Sequence, residues 1–444
     1  MSDAAAAHRR APAGALLAVL AALVLPFALA PADWAAWAFL LAALALAWVD
    51  PVVSGDREAG LGVLATAAAH GAVALTNSLA GPLPEAELDA AVFKAHALDI
   101  AMFEPLRPGL GSGLFENFLA ALHTLLGTSP LMGDAAAAFA FVLASVFFVR
   151  LLHLLRVPRY RFWLVIAFGL WPTSLLLGSV TLREPFQLLA FTAMVYWGLR
   201  PARGLRRLGW LCAAALAGLA MGAFHAAMLA YAAVALVLLA IWPAAQGAGG
   251  GWRERVTALA VIALIGAGAA LALSRVDIRS GDDLFAMAQH GLVDGLESYR
   301  AGIGAGEPRT AFGVDLEYES VPAFVASIGP VYAHYLFAPF PWEIGVPLDT
   351  IAAAESLLRL VLVVLAGVLL WRGDGPPRRM LALLLLLYAG MTLTWTLGTT
   401  NYGQALRHHV LSNWILLLTA GPMLAAGLHR ALGRVAAVGR GNGR

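Results

Sequence analysis

The segment 84–98 (PEAELDAAVFKAHAL) contains the residues whose types and spacing are best suited to chemistry. Asp89, Phe93 and His96 stand at positions i, i+4 and i+7, so on a helix they share one face. A carboxylate beside a membrane can act as a general base that removes a proton from an acceptor hydroxyl. A solvated acidic helix at the membrane interface fits the same pattern. Asp89 is therefore the candidate base.

A second motif lies at 179–187 (SVTLREPFQ), between two apolar stretches. Pro185 suits the first turn of a helix, so the sequence predicts that Glu184 lies at a helix start. Charged groups near a membrane are costly and are usually paired or functional. Arg183 offers the planar donor fork that suits a phosphate. The alternative is a local ion pair between Arg183 and Glu184 that closes a helix hairpin.

A third motif lies at 399–409 (TTNYGQALRHH), where polar residues crowd the start of a late hydrophobic run. A phosphate or sugar ligand would explain this density, with Arg407 pairing with the phosphate and Tyr402 and His408 beside it. A polar helix cap that faces water is the alternative. A metal site built from His408 and His409 is disfavoured, because adjacent positions on a helix point about 100° apart.

The fourth motif, 338–347 (APFPWEIGVP), is a stiff proline-rich segment that leads into a hydrophobic run. Trp342 is typical of the lipid headgroup level, which favours a plain interfacial anchor. Glu343 is not explained by that role and is kept as a candidate for contact with a substrate.

The composition is that of a chain buried in lipid. Of the 444 residues, 61% are hydrophobic and only 13% are charged, and the mean hydropathy is +0.78. Soluble domains are nearer half apolar and about a quarter charged, so a soluble helical protein is disfavoured. The single cysteine, Cys212, excludes a disulfide within the chain. The hydrophobic runs predict an all-α polytopic membrane protein with roughly twelve transmembrane helices.

The arginines predict an orientation for these helices. They cluster before the first hydrophobic run, at 156–161, 200–207, 253–255 and 372–379, and in the tail from 430 onward. With twelve spans all the clusters fall on one side, which the positive-inside rule makes the cytoplasm. Both termini are expected there, in a multi-pass protein of a bacterial inner membrane.

The opposite, periplasmic face is expected to receive the polar connections. The first connection, 81–130, carries the acidic helix and a short amphipathic helix. The long acidic connection 275–347 predicts a folded periplasmic cap, because a structureless loop of that length is unusual. The chain then divides into an N-terminal transmembrane module at 1–274, this cap, and C-terminal helices with a basic cytoplasmic tail at 348–444.

Taken in order, the motifs resemble the GT-C superclass of integral membrane glycosyltransferases, especially the bacterial branch related to dolichyl-phosphate-mannose protein mannosyltransferases. The resemblance covers about 80–430 and rests on DAAVFKAHAL, FENFLAALHTLLGTSPL, WPTSLLLGSVTLREPF and QALRHHVLSNW. The sequence departs from the family in having Phe93 where Tyr is frequent. A second departure is that three spans, rather than one, precede the acidic helix.

The resemblance implies a GT-C-like fold and transfer of a sugar from a polyprenyl-phosphate donor at the periplasmic face. The acceptor would be a lipid, a glycan or a protein, and nucleic acid is not expected as a partner. Asp89 takes the place of the catalytic base, and Arg183 and Arg407 face the phosphate. The further candidates for contact with the substrate are Glu184, Glu343, Tyr402 and His408. No cofactor is certain; a divalent metal is possible but optional, because arginines can neutralise a leaving monophosphate.

Two other classes stay open at this point. A polysaccharide polymerase or O-antigen ligase-like enzyme would share the many spans and the large periplasmic loop, and would bind a polyprenyl-diphosphate glycan. A transporter or flippase would place charges or broken helices at mid-membrane. The span interiors of this sequence are almost free of charge, and the polar residues crowd one interface. This distribution favours chemistry at the interface over passage through the membrane.

Overall fold

The computed structural model describes residues 32–83, 89–106, 109–225, 227–242, 292–304, 310–373 and 377–441, with single positions between 256 and 266. Within these ranges the secondary structure is almost entirely helical, and an isolated antiparallel bridge joins Ala311 and Asn401. The first hydrophobic run, the acidic residues 84–88 and the first part of the predicted cap, 275–291, lie outside the described residues.

The N-terminal helices pack around one central helix. In chain order they are α1 (Trp34–Val49), α2 (Pro51–Ser54), α3 (Arg57–Leu79), α4 (Asp89–Phe103), α5 (Ser112–Leu126), α6 (Met132–Leu154), α7 (Arg161–Gly169), α8 (Pro172–Leu177), α9 (Glu184–Leu199), α10 (Gly204–Phe224) and α11 (Ala227–Ile241). The central helix is α6, which contacts α1, α3 and α9 and is buried over most of its length. The helices α4 and α5 form a separate pair at the end of the bundle where α3 ends and α6 begins.

The C-terminal helices complete the bundle. They are α12 (Leu292–Gly304), α13 (Val321–Phe337), α14 (Pro347–Arg372), α15 (Arg378–Gly398), α16 (Tyr402–His409), α17 (Asn413–Thr419) and α18 (Gly421–Gly441), with a 3-10 turn at Pro341–Glu343. The short helix α17 packs against α6 and α7, so it joins the two halves.

Five described helices are long and apolar enough to cross a membrane: α3, α6, α10, α14 and α15. The pair α17 and α18, bent by 60° at Ala420, would make a sixth span. The all-helical class and the apolar spans expected of a membrane protein are thus confirmed in the described part of the chain. The number of twelve spans stays a prediction.

At the end of the bundle remote from α4, acidic side chains cap helices and form ion pairs between them. Asp50 caps α2 through the Val52 amide at 3.0 Å and also binds Arg150. Asp56 caps α3 and accepts hydrogen bonds from Arg161 Nη1 at 2.7 Å and His153 Nε2 at 2.9 Å. Burial alone would raise the pKa of Asp56, but these hydrogen bonds outweigh it and hold the pKa below its usual value.

A buried carboxylate on α6 positions the acidic helix α4. Asp134 has no exposed surface and accepts hydrogen bonds from Asn77 Nδ2 at 2.9 Å, Ser78 Oγ at 2.6 Å and Thr181 Oγ1 at 2.5 Å. It also forms an ion pair with Lys94 Nζ of α4 at 2.7 Å. One side chain therefore links α3, α4, α6 and the segment that leads into α9. Because every partner is a donor, only a charged acceptor satisfies all four.

Asp134→Asn is expected to lower the free energy of unfolding by about 2 kcal/mol, the order of one hydrogen bond to a charged group. The amide keeps the volume of the side chain but turns two N–H donors toward other donors and leaves Lys94 without a counter-ion. The measurement is the thermal unfolding midpoint of the purified protein in detergent. Asp99→Asn, which changes an exposed carboxylate on α4, is the control. Equal midpoints for wild type and Asp134→Asn would contradict this role.

Helix α12 of the predicted cap docks on the end of α15. Arg300 of α12 is 3% exposed and donates hydrogen bonds to the carbonyls of Thr396, Leu397 and Thr399 at 2.9–3.2 Å. It also binds Asp315 at 2.8 Å. These bonds satisfy the last carbonyls of α15, which no helical partner can reach. The cap is thereby fixed beside α16.

Candidate functional site

Two of the predicted carboxylates, Asp89 and Glu184, bind the predicted arginine Arg407. Arg407 of α16 donates hydrogen bonds from Nε and Nη2 to Glu184 Oε1 at 3.2 Å and 2.8 Å. Its Nη1 binds Asp89 Oδ2. The three residues come from α4, α9 and α16 and are separated by as many as 318 positions in the sequence. The structure thus brings the candidate base, the Arg-Glu turn and the late arginine into one cluster.

Local sequence explains why each of these side chains lies at a helix start or in a short helix. Pro185 stands in the first turn of α9, as predicted, and places Glu184 at its first position. Asn401 caps α16 by accepting a hydrogen bond from the Gln404 amide at 2.9 Å. The Tyr402 amide also donates to the Thr310 carbonyl at 2.9 Å. The cap segment therefore fixes the helix that carries Arg407.

The two carboxylates of the cluster differ in exposure. Asp89 has 53% of its side chain exposed, whereas Glu184 has 4%. Burial alone would lower the pKa of Arg407, but the charges of Glu184 and Asp89 outweigh it and raise the pKa above its usual value. Arg407 is thus a permanent cation, with Glu184 as its buried counter-ion and Asp89 as its solvent-facing partner.

Arg183 is the second cation of the site and has a different environment. Its Nη1 donates to the Phe224 carbonyl at 3.2 Å, and its guanidinium lies 5.6 Å from the centre of the Phe93 ring. Within the described residues it forms no ion pair with a carboxylate, and its Nε is buried without a hydrogen-bond partner. Glu184 Oε2 and Gln187 Nε2 are buried and unbonded as well. The charge of Arg183 acts on Glu184, but among the described residues the two side chains form no hydrogen-bonded ion pair.

His408 directly follows Arg407 in the sequence, and its ring stacks on an aromatic side chain. Its ring lies 3.6 Å from the ring of Trp395 at an angle of 17°, and its Nδ1 bonds with Thr399 Oγ1 at 3.0 Å. The ring of His225 meets the same tryptophan edge-on at 4.6 Å. Burial, and then the charge of Arg407, lowers the pKa of His408 far below its usual value. His408 is accordingly neutral.

Phenylalanines form an apolar wall beside Arg183. They are Phe93, Phe115, Phe118, Phe186 and Phe224. Their ring centres lie 5.1–6.4 Å apart, mostly in the tilted or edge-to-face arrangements that aromatic pairs prefer. The wall connects α4 and α5 to the start of α9 and the end of α10.

An apolar groove of about 690 Å³ begins at this wall. Phe186 and Phe224 lie at one end, and Asp50 and Arg150 lie at the other. Between them the lining comes from α1, α6, α9 and α10 and is almost entirely apolar. A cavity of this size and character suits a hydrocarbon chain better than a polar solute.

A smaller cavity of about 60 Å³ touches Arg407 directly. Tyr402, Thr173 and Thr310 contribute polar groups to its lining. Tyr402 is itself 5% exposed and lies in the first turn of α16. This predicted residue is therefore placed next to Arg407.

Two predicted residues lie away from this cluster. Glu343 Oε2 accepts a hydrogen bond from the Phe340 amide at 2.8 Å and closes the 3-10 turn before α14, with no bond to the cluster. His96 is exposed and bonds with Glu116 of α5 at 3.2 Å. His96 shares a helix face with Asp89 but forms no hydrogen bond with Arg407.

The sequence reasoning did not assign several residues that the site contains. Gln187 stands one turn after Glu184 as a lone amide in an apolar helix, which was a usable signal. Trp395 and the phenylalanines of the wall other than Phe93 gave none, because aromatic residues in an apolar chain are most often ordinary core. No group of three His, Cys, Asp or Glu side chains within the described residues is placed to hold a metal ion.

Comparison with known proteins gave no match to a family model, to a curated protein or to a solved structure.

Proposed function

We propose that the protein is an inverting membrane glycosyltransferase that moves a sugar from a polyprenyl-phosphate donor to a lipid, glycan or protein hydroxyl. The observation that carries this proposal is the meeting of Asp89, Glu184 and Arg407 beside Arg183, at the mouth of an apolar groove. Fixed cations, one exposed carboxylate and a hydrocarbon-sized groove are the parts that a lipid-phosphate donor requires.

The donor phosphate would be bound by Arg183 and Arg407. Arg183 has no carboxylate partner among the described residues, so it can accept a phosphate without breaking an ion pair. The polyprenyl chain would extend into the groove from Phe186 and Phe224. Arginine suits this role because it stays charged and presents several donors to phosphate oxygens.

Asp89 would act as the general base. It takes the proton of the acceptor hydroxyl while the oxygen forms a bond to the anomeric carbon. The bond from that carbon to the phosphate oxygen breaks, and its electron pair leaves on the phosphate, whose charge the two arginines stabilise. Glu184 is buried and bound to Arg407, so it is placed to hold the arginine rather than to attack the sugar.

The pair between Asp89 and Arg407 gives this mechanism an order of events. Arg407 uses Nη1 on Asp89 and Nε and Nη2 on Glu184. A donor phosphate that takes Nη1 would displace Asp89 and leave its carboxylate free for the acceptor. The donor would therefore bind before the base becomes competent.

The class of donor is tested by transfer from labelled substrates. Wild-type protein is incubated with a membrane extract and either a polyprenyl-monophosphate sugar or a polyprenyl-diphosphate glycan. We expect transfer from the monophosphate. Transfer from the diphosphate alone would favour the polymerase or ligase class, and movement of an intact lipid-linked sugar across vesicles without transfer would favour a flippase.

Arg183→Gln is expected to raise the KM for the donor by about 10-fold to 100-fold, as loss of a charge-assisted contact predicts. The glutamine keeps much of the side-chain length but removes the charge that faces the phosphate. Arg379→Gln, an exposed arginine at the start of α15, is the matched control. An unchanged donor KM in Arg183→Gln would place the phosphate elsewhere.

A further inference from the structure

A second polar cluster lies inside the C-terminal half of the bundle, between α13, α14, α15 and α17. Its centre is Arg359 of α14, which has no exposed surface. Tyr335, Tyr388 and Asn413 surround it and are between 0% and 5% exposed. This cluster shares no residue with the site around Arg407.

Arg359 is a buried cation without an ion pair among the described residues. Its Nε donates to Asn413 Oδ1 at 3.1 Å and its Nη1 to the Leu336 carbonyl at 2.6 Å, and both acceptors are neutral. Glu355, one turn earlier on α14, is engaged with the Thr173 amide and hydroxyl at 2.7 Å each. The charge of Glu355 acts on Arg359, but the two side chains form no hydrogen-bonded ion pair. A buried guanidinium whose carboxylate neighbour is bonded elsewhere is costly in a low-dielectric interior.

Four further polar atoms of the cluster can each donate a hydrogen bond and have no partner. Arg359 Nη2, Tyr335 Oη, Tyr388 Oη and Asn413 Nδ2 are all buried without a hydrogen-bond partner. Tyr335 directly precedes Leu336, whose carbonyl accepts the hydrogen bond of Arg359 Nη1. The charge of Arg359 acts on both Tyr335 and Tyr388. Several unbonded donors around one cation would be satisfied best by a ligand that accepts hydrogen bonds and carries negative charge.

We propose that this cluster binds one small monovalent anion of halide size. A halide brings a single negative charge, no more than Arg359 carries, and it accepts hydrogen bonds from any direction. A phosphate or a sulfate would bring more charge than Arg359 can balance. A metal cation is opposed by the charge of Arg359 and by the donor character of the unbonded atoms. The proposal does not depend on the function proposed for the Arg407 site.

The test follows the thermal midpoint of the full chain in detergent as chloride or bromide replaces gluconate at constant ionic strength. A ligand that binds only the folded state raises the midpoint in a saturable way. We expect a rise of a few degrees with either halide. Crystals grown with bromide should show an anomalous peak within hydrogen-bond distance of Arg359 Nη2.

The matched variants change only hydroxyl groups. Tyr335→Phe with Tyr388→Phe removes two donors but keeps both rings, and should abolish the saturable rise. Tyr231→Phe is the control, because the Tyr231 hydroxyl is also buried but donates to the Leu387 carbonyl at 2.9 Å. If the double variant does not fold, Tyr388→Phe alone should lower the halide affinity. Equal midpoints in halide and gluconate, or only water at Arg359 in bromide crystals, would overturn the proposal.

Discussion

Arg407→Gln is expected to abolish transfer and to lower the free energy of unfolding by about 3–5 kcal/mol, the cost of breaking a buried ion pair. Glu184 is 4% exposed, and Arg407 is its hydrogen-bonded counter-ion. The substitution removes this partner and leaves Glu184 only the more distant charge of Arg183. The loss of transfer has a separate cause, because Arg407 is also proposed to bind the donor phosphate. Thermal midpoints and transfer rates of the purified variants measure the two effects.

The double variant Arg407→Gln with Glu184→Gln separates stability from activity. Removing both charges of a buried pair costs much less than removing one, so the midpoint should return most of the way toward that of wild type. Transfer should stay absent, because no cation has been restored. Recovery of transfer in the double variant would show that Arg407 acts only as a structural partner of Glu184.

Asp89→Asn is expected to reduce kcat by about 100-fold to 10,000-fold, the range that a general base contributes. Asparagine has the same shape but cannot take the acceptor proton. The donor KM should fall or stay unchanged, because Asp89 no longer competes with the phosphate for Arg407. Steady-state kinetics over a range of donor concentrations separate the two constants.

The control for Asp89→Asn is again Asp99→Asn on the same helix. Asp89 is half exposed, so loss of its ion pair should change stability by less than about 1 kcal/mol. A fall in kcat therefore cannot be attributed to unfolding. Full activity in Asp89→Asn would remove this residue from the mechanism, and equal loss in Asp99→Asn would point to a general requirement for charge on α4.

Local features of the fold were predictable because they depend on neighbouring residues. Pro185 sets the start of α9 through its missing amide hydrogen and its fixed φ angle, and this was read correctly from the sequence. The amphipathic helix predicted within 114–127 is found as α5. Long apolar helices follow from composition alone.

The partners of the charged residues were not predictable from the sequence. A local pair between Arg183 and Glu184 was one interpretation, but Glu184 instead forms its hydrogen-bonded ion pair with Arg407, 223 positions away. Asp134 carries no sequence signal, because a single carboxylate at the start of an apolar helix has no pattern around it. Its four donors come from three other parts of the chain. Such pairings are decided by packing between distant segments, which no local pattern contains.

The most direct measurement is the product of one transfer reaction by the purified wild-type protein. A polyprenyl-monophosphate sugar of known anomeric configuration is the donor, and the label, the lipid product and the configuration of the new bond are followed together. The proposed mechanism predicts that the sugar moves with inversion and releases one polyprenyl phosphate for each sugar transferred. Retention of configuration would require a carboxylate nucleophile and would contradict the role of Asp89 as base. Absence of transfer by the folded protein from every monophosphate donor would contradict the proposed function itself.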